Sequence, residues 1–114
     1  MQMTESCKER ILKVEAVVLE EFNTLKQDFM QKGKNVSPEN SAILDVVIYF
    51  LHDFEKMSYS TICAFYGKKS QSTMQRKRQR ILDLDPHLDD EYILLQKIEQ
   101  IKKKYINTIL YGKA

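Results

Sequence analysis

Tryptophan is absent from this 114-residue sequence, glycine occurs three times, and proline and cysteine twice each. Each scarcity narrows the reading. Cys7 and Cys63 lie far apart with no cysteine or histidine at ligand spacing, so neither a zinc cluster nor a disulfide framework is suggested. No apolar run approaches the ~20 residues that cross a bilayer, and the opening residues Met1 to Arg10 lack the apolar stretch of a secretory signal. A cytoplasmic protein without a membrane partner is therefore expected. The length suits a single domain spanning 1–114, with 43% hydrophobic residues for a modest core and no room for a second, catalytic domain.

Charge of either sign is nearly balanced, at a net +2, but it is unevenly placed. Residues 68–80 read KKSQSTMQRKRQR and hold six basic residues, Lys68, Lys69, Arg76, Lys77, Arg78 and Arg80, with no acid. The other 101 residues carry the remaining 12 basic and all 16 acidic groups, a net of −4. A mildly acidic body with one basic stretch points to a localised anionic partner.

The few glycines and prolines fall where helices would start or stop, so an all-α chain of about five helices is expected. Ser6 and Glu9 fit a capping box, and apolar residues then recur at Ile11, Val14, Val18, Phe22, Leu25 and Phe29 up to Gly33, predicting a long amphipathic first helix. Ser37 can cap a central helix with Pro38 at its first position, apolar on most sides from Ile43 to Phe54. Ser58 caps a short helix that directs Ile62, Phe65 and Tyr66 inward and ends at Gly67, where a positive φ is permitted. The basic helix begins near Ser70 or Gln71, with Met74 and Ile81 as its inward positions and Lys77 beside them on the same seam. A final helix opens on Asp89, Asp90 and Glu91, turns Leu94, Leu95, Ile98, Ile101, Tyr105 and Ile109 to one side, and closes on Lys102 to Lys104, matching its dipole at both ends.

A short helix, a glycine-containing turn and a second helix rich in Ser, Thr, Gln and Arg form the sequence pattern of a helix-turn-helix, here at 58–82. The stretch from Val46 to Ile81 resembles, without a gap, the C-terminal DNA-binding domain of the bacterial chromosomal replication initiator DnaA, of the Trp-repressor-like class. Ser58, Ile62, Gly67, Ser72, Thr73 and Ile81 match that family's pattern, and Tyr59, Tyr66 and Met74 are similar in type. The resemblance covers about a third of the chain and does not extend to the first helix. It implies a Trp-repressor-like fold, double-stranded DNA as partner, and base contacts from Ser70, Gln71 and Ser72 with Thr73 beside them. The family's Arg at the turn becomes Lys69, its Asp and His become Ser70 and Gln71, and its arginine-rich loop is replaced by GKNVSPENSAIL. Sites other than the initiator's own are therefore expected.

The residues themselves support that partner. Gln71 at a helix N-terminus can pair two hydrogen bonds with adenine, worth on the order of 1 to 3 kcal/mol of discrimination, while short hydroxyls there suit phosphate oxygens. Lys68, Lys69, Gln75, Arg76 and Arg80 would flank them along the duplex. Five or six neutralised phosphates would give a slope of log affinity against log salt of about −5. No enzyme is expected: His52 and His87 have no partnered nucleophile, and no phosphate-binding loop or nucleophile elbow occurs. The acids Asp83, Asp85, Asp89 and Asp90 lack an EF-hand spacing and read as helix capping, so no metal, cofactor or small-molecule substrate is expected. The alternative is a protein-interaction module that keeps the helix-turn-helix and does not bind DNA. The seams of the first and last helices could serve either core or homodimer.

Overall fold

The computed structural model describes residues 5–24, 38–67 and 70–107. Among them the chain forms five helices and no strand: α1 (Glu5–Glu21), α2 (Pro38–Asp53), α3 (Tyr59–Tyr66), α4 (Gln71–Leu82) and α5 (Asp89–Tyr105). None is long and apolar enough to cross a membrane.

The architecture follows from α2, whose Ile43, Val46, Val47, Ile48, Phe50 and Leu51 are all fully buried. A helix apolar on most sides must be covered on most sides, and α1, α3 and α4 supply the cover. The fifth helix packs mainly on α1, inserting Ile98, Ile101 and Tyr105 into the same core. The Tyr105 ring lies 5.8 Å from Phe50 and 5.3 Å from Phe54. Its hydroxyl donates to Glu55, which also accepts from Arg10 Nε at 2.7 Å. One carboxylate thus joins α1, the α2–α3 turn and α5.

Two features of α1 differ from expectation. Ser6 lies inside the helix rather than before it, so it does not cap it. The helix also stops at Glu21, well short of Gly33. Asn23 adopts a left-handed φ of 52°, its N–H bonding to Glu20 O at 3.2 Å while Thr24 N–H bonds to Leu19 O at 3.0 Å. That pair of bonds is a Schellman ending with asparagine in the position usually held by glycine. The apolar spacing that suggested a longer helix continues through Leu25 and Phe29, which lie outside the described residues.

The α3–α4 pair conforms closely to its sequence signals. Ser58 Oγ accepts from Thr61 N at 3.2 Å, and Gly67 closes the helix at φ 65°, with its N–H on Cys63 O. After the turn, Ser70 Oγ accepts from Thr73 N at 3.2 Å and opens α4. Met74 is fully buried and Ile81 nearly so. Their spacing of seven residues is two turns, so one stripe of α4 faces the core. In the loop before α5, Asp85 Oδ1 accepts from His87 N and Glu91 Oε1 accepts from Asp85 N, both at 2.9 Å.

Gly67 yields a test of the turn. A Cβ built there meets no atom within 4 Å, so the cost of Gly67→Ala is conformational alone, about 1 to 2 kcal/mol for an L-residue in the left-handed region. Gly67→Asn should cost less. Urea unfolding measures both, and an alanine variant as stable as the parent would contradict the left-handed turn.

Candidate nucleic-acid interface

The inward stripe of α4 is flanked by charge as well as by apolar groups. Lys77, one turn from both Met74 and Ile81, is pressed against α2, its side chain 15% exposed and its Nζ 3.4 Å from Asp45 Oδ1. Arg80 Nη1 reaches Asp45 Oδ2 at 3.6 Å while staying largely in solvent. Arg78 makes a two-pronged pair with Asp53, Nε to Oδ1 and Nη2 to Oδ2, the latter at 3.1 Å. Three cations of α4 are therefore engaged by two acids of α2. The inward placement of Lys77 agrees with its sequence position, but the pairing of Arg78 has no local signal, since Asp53 is 25 residues away.

Burial pushes the Asp45 carboxyl above its ordinary range, and the nearby Lys77 and Arg80 charges offset only part of that effect. Desolvation that outweighs ion pairing is a recurrent property of buried ion pairs. The Asp45 pair thus fixes where α4 lies more than it adds stability.

The opposite face of α4 is open. Gln71, Ser72, Gln75, Arg76, Gln79 and Arg80 are exposed, Thr73 is half-buried, and Ser70 is exposed but has its oxygen committed to the Thr73 N–H. Ser70 Oγ also lies 2.9 Å from Ser72 Oγ. Arg76 has no ion-pair partner among the described residues. Lys68 and Lys69 lie outside the described residues. Gln79, which the sequence reading passed over, stands on the same face and donates from Nε2 to Asp83 Oδ1 at 2.9 Å. Its position four residues after Gln75 was the available signal.

Comparisons with protein-family models, with curated proteins and with solved structures returned no match. What the face can do follows from its own chemistry: carboxamides and hydroxyls that donate and accept, guanidinium groups, and no acid from Ser70 to Arg80.

Other polar features are occupied in holding the fold. His52 stacks on Tyr59 at 4.0 Å, and its Nδ1 lies 2.9 Å from Met57 O. It lines an open cleft of about 440 Å³ with Asp53, Lys56, Met57, Ser58 and Arg78. Among the described residues no group of three or more His, Cys, Asp or Glu side chains is placed to hold a metal ion. Glu15, buried on α1, accepts from the Tyr66 hydroxyl at 2.5 Å at the end of α3. Burial, reinforced by that carboxylate, holds the Tyr66 phenol far above its ordinary pKa.

Asp45 gives a pH test. A carboxyl whose pKa is raised on folding is bound to its proton more tightly in the folded chain, so it favours folding at low pH and loses that contribution as pH rises through the raised value. The stability of the parent relative to Asp45→Asn should therefore fall between pH 3 and 7. Urea unfolding of both proteins across that range measures the difference, and a difference that grows with pH would contradict the assignment.

Proposed function

We propose that this chain binds double-stranded DNA by laying the outer face of α4 in the major groove. The fold proposed around it is the Trp-repressor-like helix-turn-helix of the DnaA C-terminal domain type, acting as a non-enzymatic regulator or replication accessory factor on cytoplasmic DNA. The observation that carries this reading is the acid-free outer face of α4, rich in glutamine, serine and arginine and kept outward by the anchoring of the inner face to α2.

The chemistry divides along that face. Gln71 and Ser72 stand at the helix N-terminus, where unsatisfied N–H groups and the dipole favour an anion, and a carboxamide there pairs with adenine. Ser70 accepts the Thr73 N–H and shares a hydrogen bond with the Ser72 hydroxyl, so this hydroxyl pair has one proton to offer a phosphate oxygen. Thr73, half-buried, is placed for a backbone contact more than for a base edge. Arg76 and Arg80 are the α4 cations proposed for phosphates, Arg80 because its contact with Asp45 is long, at 3.6 Å, and its side chain is 60% exposed, whereas Lys77 and Arg78 are held more closely by Asp45 and Asp53. Lys68 and Lys69 are proposed beside them.

A second reading, an interaction module that does not bind DNA, draws on the start of α5. Leu88, Tyr92 and Ile93 are each about half exposed there, at 51%, 49% and 55%, an apolar surface that suits a protein partner or a second copy of this chain.

Fluorescence anisotropy with a pooled random duplex separates the readings. Four phosphate contacts predict a slope of log affinity against log salt of about −3 to −4, shallower than the charge of the whole basic stretch suggests. Arg76→Ala should weaken binding across sequences alike and reduce that slope by about one. Absence of binding to the pool at low salt would contradict DNA binding and leave the interaction module.

A further inference from the structure

Gln71, Gln75 and Gln79 follow one another at intervals of four residues, and all three are exposed. On an α-helix that interval advances about 6 Å along the axis and turns only about 40°, so the three carboxamides form one row about 12 Å long on the open side of α4. Beside it runs a parallel row one residue on, Ser72, Arg76 and Arg80. The core-facing stripe of Met74 and Ile81 lies outside both rows.

We infer that this row reads adenine in the major groove, so that the preferred ligand is a duplex with an A·T-rich core of about three to five base pairs. The inference rests on the DNA-binding reading and adds what it selects. A glutamine carboxamide offers an acceptor and a donor side by side, matching the N6 amino group and N7 of adenine, and no other base presents that pair in the major groove. Lysine or arginine in these places would favour guanine, and glutamate would favour cytosine. With base pairs about 3.4 Å apart along a strand, neighbouring glutamines reach pairs one to two steps apart.

Gln79 carries the additional observation. Its Nε2 already gives one hydrogen to Asp83 Oδ1 at 2.9 Å, which ties down the amide end of the carboxamide. The second hydrogen on Nε2 and the lone pairs on Oε1 remain, and these are the two groups an adenine edge needs. Asp83 thereby orients Gln79 before DNA arrives and places a negative charge at the C-terminal end of the row, where it turns phosphates away. The reading surface then runs from the α4 N-terminus to Gln79 and stops.

The test is a selection from a random duplex pool with the parent, Gln75→Ala and Gln79→Ala, each checked for unchanged helicity by circular dichroism. The parent should enrich adenine within a window of about three to five base pairs, and each variant should lose the preference at one position. Affinity for the selected duplex should fall about five-fold or more per glutamine, the lower end of a paired contact, while affinity for the unselected pool stays the same. Replacing the selected adenine by 7-deazaadenine, which removes N7 and keeps base pairing, should weaken the parent and leave the matching variant unaffected. A parent that binds the pool but selects no adenine, or variants that select as the parent does, would overturn the glutamine row and leave DNA binding standing. A parent that binds no duplex overturns both.

Discussion

Asp45 and Asp53 stand eight residues apart on α2, and between them they engage Lys77, Arg78 and Arg80 of α4. With Met74 and Ile81 filling the apolar seam between the same two helices, the rotation of α4 about its own axis has one solution. A helix carrying four basic residues in five positions would otherwise have no preferred side to turn outward. Because the paired cations sit on the flank toward α2, the outward side is left to glutamines, Ser72 and Arg76. The surface offered to a partner is consequently more polar than cationic. Such a surface suits recognition by paired hydrogen bonds at least as well as bulk attraction to phosphate.

The local parts of this arrangement were legible in the sequence. Ser58, Gly67 and Ser70 each act within a few residues of themselves, so their caps and turn could be read directly from spacing. The same holds for Met74 and Ile81, whose period is that of the helix they occupy. The end of α1 was not legible, because two local signals conflicted: apolar spacing runs on past Glu21, while Asn23 ends the helix by taking a left-handed conformation. Glu15, not singled out in the sequence, stands four residues after Ile11 and three before Val18 and so shares their buried side. The long-range ion pairs had no signal at all, since nothing near residue 78 announces an acid at 53.

Two buried carboxylates reach from α1 and the α2–α3 turn into other elements. Glu15 receives the Tyr66 hydroxyl next to the turn that leads into α4, and Glu55 receives both Arg10 and Tyr105. Their bonds fasten the first and last helices onto the part of the chain that presents α4. A buried polar group left without its partner costs on the order of 1 to 3 kcal/mol, so these contacts fix the mutual placement of helices more narrowly than apolar packing alone. The first helix, which the family resemblance does not cover, is thus bonded to the end of α3 and is not a loose appendage.

The central claim is that the outer face of α4 is where this chain meets its partner. Backbone amide chemical shifts followed by NMR during addition of a random-sequence duplex test it most directly. The account predicts that the largest changes fall on Gln71, Ser72, Gln75, Arg76 and Gln79 and that amides of α1 stay in place. Changes centred on Leu88 to Ile93, or none anywhere at low salt, would contradict it.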